Sequence, residues 1–267
     1  MSRKTNSDRN EVEAKLEQNF IRPTFSFKGR EFKFTDKQKE ILDCVFDYQN
    51  RISIIDGPAG TGKSLLSVYA ALHEFKAGKF DDILYLRTAV ESSSRSLGFL
   101  KGDLDEKFSV YRQILNDKVS ELVKDKDQNQ LLTSSSLEAL PINYIRGASW
   151  RNKFVILDEH QNATIDEMKT LMTRIGKGSK LILCGDMQQA DIKNSGIQFI
   201  KQIFDTPECV EMGIDFFQLT SDDIVRSEIV KFIVKKFEDF VERENDYRRR
   251  TKNTQPAYSS FPTTSYA

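Results

Sequence analysis

Residues 57–64 combine three glycines with a lysine and a hydroxyl group, in the order Gly57-Pro58-Ala59-Gly60-Thr61-Gly62-Lys63-Ser64. This run matches G-x-x-x-x-G-K-[ST] at every fixed position, a pattern typical of loops that bind nucleotide phosphates. The glycines let backbone N–H groups turn towards phosphate oxygens. Lys63 would reach the β and γ phosphates, and the Ser64 hydroxyl would bind Mg²⁺. The sequence therefore predicts a site for ATP and Mg²⁺ here.

A second candidate stretch is the acidic pair Asp158-Glu159, which directly follows the apolar run Phe154–Leu157. Such a run indicates a buried strand, and open α/β sheets bind ligands at the carboxyl ends of their strands. Asp158 would hold Mg²⁺, directly or through water. Glu159 would orient and deprotonate an attacking water. Together with the glycine loop, the pair predicts hydrolysis of the terminal phosphate.

Three further side chains are candidates for the same site. Gln189 follows a buried strand and is placed to sense the γ-phosphate, although a plain turn over residues 185–189 is the alternative. Gln38 either completes a capping box with Thr35 or reads the adenine edge, and the sequence leaves both open. Arg226 lies in the first turn of a predicted helix, where the helix dipole gives a cation no help. That placement favours a functional role.

The elements that must position these residues follow from periodicity. Ile52–Ile55 is a β-branched strand before the glycine loop, and a helix follows the loop until Gly78. Further strands are predicted at residues 83–86, 181–184 and 214–219. The fold class is thus α/β, with a mostly parallel sheet and helices on both faces. Less regular patterns predict a hairpin over residues 25–34, helices over 107–124 and 134–140, a strand over 142–145, and a helix over 221–244 that turns its apolar face to the core.

The overall composition narrows the class of protein. Lys+Arg and Asp+Glu are both 40 in 267 residues, so no global field draws nucleic acid to the chain and any basic surface is local. Three widely spaced cysteines, with no disulfide or metal pattern, predict reduced thiols in a cytoplasmic protein. The polar N-terminus predicts no signal peptide, and no apolar run approaches the ~20 residues of a membrane span.

Changes in composition suggest three segments. Residues 1–30 are predicted to form an N-terminal arm that is partly mobile, and residues 31–245 to form a single domain. Residues 246–267 begin with Arg248-Arg249-Arg250 and continue rich in Ser, Thr and Pro, which predicts a disordered tail.

With these motifs in place, the chain resembles the PhoH-like family, which comprises P-loop ATPases related to superfamily 1 helicases. The resemblance runs from about Gln38 to Val234. It is carried by Gly57–Ser64, Leu84–Glu91, Leu97–Leu104, Tyr144–Gly147, Asp158–Asn162, Thr173–Lys180, Gly185–Gln189 and Val225-Arg226. Two positions depart from the family pattern: His160 replaces a small residue and Thr88 replaces a proline. Neither departure removes a group that handles phosphate.

The resemblance implies a single RecA-like P-loop NTPase domain that works on RNA or single-stranded DNA. It assigns phosphate binding to Gly57–Ser64, magnesium and water to Asp158 and Glu159, γ-phosphate sensing to Gln189, and an arginine finger to Arg226. Too few residues follow Asp191 for a second helicase lobe. Because an arginine finger raises turnover by about 10³–10⁵ in this chemistry, we expect a homo-oligomeric, hexameric ring in which Arg226 or Arg174 reaches a neighbouring subunit. No membrane partner is expected.

Three classes of function remain open from the sequence. The first is an ATPase or helicase-like motor stimulated by nucleic acid. It is supported by the basic start of the tail and by six basic residues in loops near predicted strand ends: Arg87, Arg95, Lys101, Arg146, Arg151 and Lys153. The second is a small-molecule kinase, although the sequence shows no arginine cluster of the kind expected in a kinase lid. The third is a nucleotide-gated oligomeric regulatory module with slow hydrolysis and no motor activity.

Overall fold

The fold is organised around a six-stranded sheet in which every neighbouring pair of strands is parallel. The structure is a computed structural model that describes residues 22–29, 32–88, 104–145, 149–190, 192 and 195–253. The strands are β1 (Ile52–Asp56), β2 (Asp82–Arg87), β3 (Leu137–Pro141), β4 (Lys153–Asp158), β5 (Lys180–Gly185) and β6 (Ile214–Gln218). Their order across the sheet is β3-β2-β4-β5-β1-β6.

Helices cover both faces of this sheet, which confirms the predicted α/β class and RecA-like arrangement. The α-helices are α1 (Asp36–Phe46), α2 (Lys63–Lys76), α3 (Leu104–Leu122), α4 (Asp125–Leu132), α5 (Ile165–Met172), α6 (Ile197–Phe204), α7 (Pro207–Glu211) and α8 (Glu228–Asn253). One core lies between the sheet and α1–α4, and a second lies between the sheet and α5 and α6. The central strands β1, β4 and β5 are buried on both faces because each core takes alternate side chains, as in other parallel sheets.

The segment before β4 differs from its predicted structure. Residues 134–140 were expected to form a helix and residues 142–145 a strand, but β3 occupies Leu137–Pro141 and a 3-10 turn follows at Ile142–Tyr144. Here strand pairing outweighs local propensity, since β3 completes the open edge of β2 in parallel register. Pro141 is tolerated because it ends an edge strand, where a missing N–H costs little.

Residues 22–29 belong to the domain and not to a separate arm. The predicted hairpin over residues 25–34 is wrong, because Phe27 instead forms an isolated bridge with Val123 and Phe25 is buried in the core. Arg22 also donates hydrogen bonds to the carbonyls of Phe75 and Phe80. The rest of the predicted arm, residues 1–21 and 30, lies outside the described residues.

The last helix differs most from its prediction. A 3-10 turn occupies Ser221–Asp223, and α8 begins only at Glu228. Ile224 is buried as predicted, but the apolar residues expected to face the core are exposed by 45–67%: Ile229, Ile233, Phe237 and Phe240. The helix also continues to Asn253, so residues 246–253 are helical where a disordered tail was predicted. The rest of that tail, residues 254–267, lies outside the described residues.

Two simpler expectations concern cysteines and the membrane. Cys44, Cys184 and Cys209 are all free thiols, and only Cys184 is buried. Among the helices of the described ranges, none combines the length and apolar character that crossing a bilayer requires.

Candidate nucleotide site

The strand order brings the predicted motifs to one place. β5 lies between β1, which leads into the glycine loop, and β4, which ends in the acidic pair. The carboxyl ends of these strands therefore border one cleft of about 420 Å³. Residues of the glycine loop, the ends of β2, β4 and β5, helix α3 and the segment 225–226 line this cleft.

The conformation of the glycine loop explains its glycines. Gly60 and Gly62 have φ values of 90° and 79°, in the left-handed region that favours glycine. A Cβ at Gly57 would lie 2.6 Å from the Cβ of Leu219, which is closer than two carbons can pack. The hydroxyl of Thr61 donates to the carbonyl of Pro58 at 2.9 Å and so tightens the turn. Gly60 and Gly62 are thus required by the backbone conformation of the loop itself, and Gly57 by the close approach of Leu219.

Lys63 lies buried within the loop. Its ammonium donates to the carbonyls of Gly57 at 2.6 Å and Pro58 at 2.8 Å. Burial lowers the pKa of Lys63, and the nearby acidic groups, including Asp186 and Asp56, act in the opposite direction. A phosphate oxygen at this position would supply the lysine with a charged hydrogen-bond acceptor.

The two predicted magnesium ligands contact each other. The Ser64 hydroxyl donates to Oδ1 of Asp158 at 2.7 Å, and the buried Tyr85 hydroxyl donates to Oδ2. Burial alone would raise the pKa of Asp158. The hydrogen bond from Tyr85, the positive charge of Lys118 and the hydrogen bond from Ser64 more than offset it and lower the pKa below its ordinary value. An ionised carboxylate beside a hydroxyl is an oxygen donor set that suits Mg²⁺.

Glu159 has an unusual backbone conformation. Its φ of 58° places a non-glycine residue in the left-handed region, which costs about 1–3 kcal/mol and is typical of functional sites. The Thr88 hydroxyl donates to the carbonyl of Glu159 at 2.9 Å, and the N–H of Asn162 donates to it at 3.0 Å. The carboxylate accepts hydrogen bonds from Arg87 and Gln161. The surroundings thus hold this strained residue in place.

The segment after β5 forms the turn that was the alternative prediction, and it also brings Gln189 to the cleft. Residues 187–189 form a 3-10 turn that Asp186 caps by accepting from the N–H of Gln188. The side chain of Gln189 lies in the cleft and donates to Asp186 at 2.7 Å. Burial raises the pKa of Asp186. The turn is therefore real, and it delivers Gln189 to the cleft.

Arg226 lines the cleft of its own chain, and its reach into a neighbouring subunit stays a prediction. The N–H of Val225 donates to the carbonyl of Gly60 at 3.0 Å, which docks this segment onto the glycine loop. A Cβ at Gly60 would lie 3.3 Å from Cδ of Arg226. Arg174, the other arginine considered for that role, does not line the cleft.

Gln38 braces the loop from behind. The capping box with Thr35 is present, with the side-chain oxygen Oε1 of Gln38 accepting from the Thr35 N–H at 3.1 Å. The amide group donates to the carbonyl of Thr61 at 2.9 Å. Gln38 does not line the cleft, and these two bonds engage both ends of the carboxamide that would have to read adenine.

Four charged cleft residues were missed from the sequence as parts of the nucleotide site: Arg87, Lys118, Glu121 and Asp186. Tyr85, which is buried and donates to Asp158, was missed as well. Arg87 follows the apolar run of β2, and its strand register places it opposite Asp158. The available signal was that β2 ends in a cation and β4 ends in an anion, since parallel strands bring their carboxyl ends together. Lys118 and Glu121 lie on α3, where their charges could not be told from an ordinary solvated face.

Among the basic residues expected to favour nucleic acid, those that the structure describes lie at two opposite ends of the strands. Arg87 pairs with carboxylates in the cleft. Lys153 is the first residue of β4, at the amino end of the strand and away from the cleft, and it pairs with Asp82 at 2.6 Å. Arg151 lies just before it. The remaining three, Arg95, Lys101 and Arg146, lie outside the described residues.

His160 is fully buried behind the site. Burial lowers its pKa to about 4, so the imidazole is neutral at neutral pH. Its ring packs against the backbone of Gly185, where an added Cβ would approach the ring nitrogen Nδ1 to 3.0 Å. We therefore regard His160 as a packing residue of the loop that carries Glu159.

Known proteins match this chain over most of its length. A family model described as PhoH-like protein matches residues 33–238. The PhoH-like protein of Synechocystis sp. is 33% identical over 225 residues, which cover 83% of this chain and 63% of the relative. The PhoH-like protein of Bacillus subtilis is 37% identical over 185 residues, covering 68% of this chain and 56% of the relative. The chain thus spans less than two thirds of the length of these relatives.

Solved structures show weaker similarity. The UvsW helicase from bacteriophage T4 is 12% identical, with a TM-score of 0.41, covering 79% of this chain and 67% of that chain. A TM-score this low supports no statement about function. The family match and the curated relatives are independent of it, and they agree with the resemblance seen in the motifs. This chain belongs to the PhoH-like protein family.

Proposed function

We propose that the cleft binds ATP with Mg²⁺ and hydrolyses its terminal phosphate. The observation that carries this proposal is the contact between Ser64 and Asp158, 2.7 Å apart, beside the buried ammonium of Lys63. Glu159 follows Asp158 directly and lines the same cleft. The residues proposed to bind phosphate, to bind metal and to act as the base thus line one cleft, which supports hydrolysis.

Each residue has a separate task in this proposal. The N–H groups of the glycine loop and Lys63 bind the phosphates. Ser64 and Asp158 would hold Mg²⁺, which neutralises charge that develops on the phosphate oxygens. Glu159 orients the attacking water and takes its proton. Gln189 contacts the γ-phosphate, and Arg226 stabilises the transition-state charge from within the same chain.

Release of inorganic phosphate from ATP tests the proposal. The Glu159→Gln protein should retain ATP binding and lose hydrolysis by about 10²–10⁴-fold, because only the proton acceptor is removed. Glu138→Gln is the matched control, since Glu138 is an exposed residue of β3 away from the cleft. It should hydrolyse at the wild-type rate.

Two outcomes would contradict the proposal. The first is wild-type protein that releases no phosphate from ATP, alone or with any polynucleotide. The second is Glu159→Gln protein as active as Glu138→Gln protein, which would remove Glu159 from the chemistry. Phosphate release in the absence of any acceptor molecule would also exclude a small-molecule kinase.

A narrower proposal is that RNA or single-stranded DNA stimulates the hydrolysis. Its support is the relationship of the resembled family to superfamily 1 helicases, together with Arg248-Arg249-Arg250, which lie in α8. The test compares phosphate release with and without a single-stranded RNA and a DNA of equal length. A rate that neither polymer changes would instead favour a nucleotide-gated regulatory module with slow hydrolysis.

A second narrower proposal is a homo-oligomeric, hexameric ring. Its support is the row of exposed apolar side chains on α8, since such a face is normally covered by a partner. Arg226 lies at its own cleft, so the ring is not needed to supply that arginine. Light scattering with MgATP tests the proposal, because a single chain has a mass of 30.7 kDa. Only that mass at every concentration would exclude the ring.

A further inference from the structure

The guanidinium of Arg87 lies between the two carboxylates of the acidic pair. One terminal nitrogen is 3.1 Å from Oε1 of Glu159, and the other is 3.6 Å from Oδ2 of Asp158. Arg87 is the last residue of β2 and stands opposite Asp158 in the parallel register of β2 and β4. Its position is therefore fixed by the sheet itself.

Arg87 is one of two donors that fix the Glu159 carboxylate. The Gln161 side chain donates through Nε2 to the other oxygen, Oε2, at 2.6 Å, and its amide oxygen Oε1 accepts from the N–H of Asp186 at 3.1 Å. The Glu159 backbone is held in the left-handed region by Thr88, the residue after Arg87. The end of β2 thus supports both the main chain and the side chain of Glu159.

The amino ends of β2 and β4, away from the cleft, provide a comparison. There Lys153 of β4 pairs with Asp82 of β2 at 2.6 Å, with both side chains about 30% exposed. Both ion pairs join β2 to β4, so either could serve only to staple the strands. Arg87 differs because it lines the cleft and its partners are the proposed magnesium ligand and the proposed base.

We propose that Arg87 is a positioning residue that holds the Glu159 carboxylate in the orientation needed to activate water. This inference rests on the proposed hydrolysis of ATP. Arg87 acts through Glu159 and takes no proton itself. A planar guanidinium suits the task, because it can donate to two carboxylates at once from a rigid fork.

The first experiment measures steady-state hydrolysis by wild-type, Arg87→Ala and Asp82→Asn proteins. Displacing a reacting group by about 1 Å can cost about 10²-fold. We expect Arg87→Ala to lower kcat by about 10- to 100-fold and to leave KM for ATP nearly unchanged. Added guanidinium ion should restore part of kcat in Arg87→Ala only. Asp82→Asn, which breaks the ion pair at the amino ends of β2 and β4, should keep the wild-type kcat.

The second experiment combines two substitutions. Because Arg87 acts through Glu159, adding Arg87→Ala to the Glu159→Gln protein should lower kcat no further. A further loss, together with a raised KM for ATP, would mean that Arg87 contacts the phosphates and would overturn the inference. A normal kcat in folded Arg87→Ala protein would overturn it as well. If Arg87→Ala does not fold, Arg87→Lys keeps the charge without the fork and should still lower kcat.

A third measurement does not depend on hydrolysis. In protein with ¹⁵N-labelled arginine, the Arg87 side-chain resonance should show slowed rotation that Glu159→Gln releases and Glu138→Gln does not. An Arg87 resonance indifferent to Glu159 would overturn the inference even in an active enzyme. Conversely, an intact ion pair in wild-type protein without ATPase activity would remove the proposed function and leave the positioning contact established.

Discussion

Helices α2 and α8 share an apolar periodicity but differ in whether their apolar face is buried. Both repeat apolar residues at helical spacing, which predicts that one face becomes covered. In α2, the apolar residues Leu66, Val68, Leu72 and Phe75 are buried in the core between the sheet and the neighbouring helices. In α8, Phe237 is 67% exposed. Helical periodicity therefore indicates that one face of a helix is apolar, but it does not identify the sheet, helix or partner chain that buries that face.

The connections to the sheet explain the difference. The glycine loop joins α2 to β1 within a few residues and directs the helix back across the sheet. The segment between β6 and α8 buries Leu219 and Ile224, and the N–H of Val225 then binds the glycine loop. The helix that follows is therefore attached at its start, and its apolar face is available to another molecule.

The largest effect that would sharpen this comparison is in α2. Leu72 is fully buried, so Leu72→Ala removes side-chain volume from the core and should lower the free energy of unfolding by about 2–5 kcal/mol. Urea unfolding followed by circular dichroism measures this change. A loss below about 0.5 kcal/mol would contradict the packing described for α2.

A smaller effect concerns α1, which a buried lysine ties to the sheet. Lys180 donates to the carbonyls of Val45 and Asp47 at the end of α1, and burial lowers its pKa to about 8 from an ordinary value of 10.5. Between these two values the unfolded chain keeps a proton that the folded chain has lost. The free energy of unfolding should therefore rise with pH in this window, by at most about 1.4 kcal/mol per pH unit.

Unfolding of wild-type and Lys180→Met proteins at pH 8 and pH 9.5 isolates this contribution. The stability of wild type relative to the variant should increase with pH, because only wild type carries the titrating lysine. A difference that stays constant or shrinks would show that the Lys180 proton is not linked to folding in this way.

The smallest effect is expected in α8. Phe237→Ala should change the free energy of unfolding of the single chain by no more than about 0.5 kcal/mol, because the ring loses little contact. Lys235→Ala, an exposed change on the polar side of the helix, is the control. If Phe237→Ala destabilises the chain as much as Leu72→Ala does, the contrast between the helices disappears. A mass shift at unchanged stability would instead identify the α8 face as an oligomer contact.

The sequence predicted the central strands more accurately than it predicted the edge strand β3 and the last helix α8. β1, β4 and β5 are long apolar runs next to motifs, and all three formed where expected. Leu137–Pro141 was misassigned because its composition suits a helix, and only the free edge of β2 made it a strand. The prediction that the apolar face of α8 packs on the core was wrong. A local pattern shows that a helix face is apolar, but not whether the surface that buries it belongs to the same chain.

The sequence by itself determined the groups that could handle phosphate. The phosphate-binding motif is present in the local sequence, since Gly60 and Gly62 permit the left-handed backbone angles and Lys63 follows directly. Only the tertiary structure decided which side chains surround the acidic pair. Tyr85 and Asp158 are 73 residues apart, and Arg87 and Glu159 are 72 apart. Those contacts exist because β2 lies beside β4, and strand order is a property of the whole sheet.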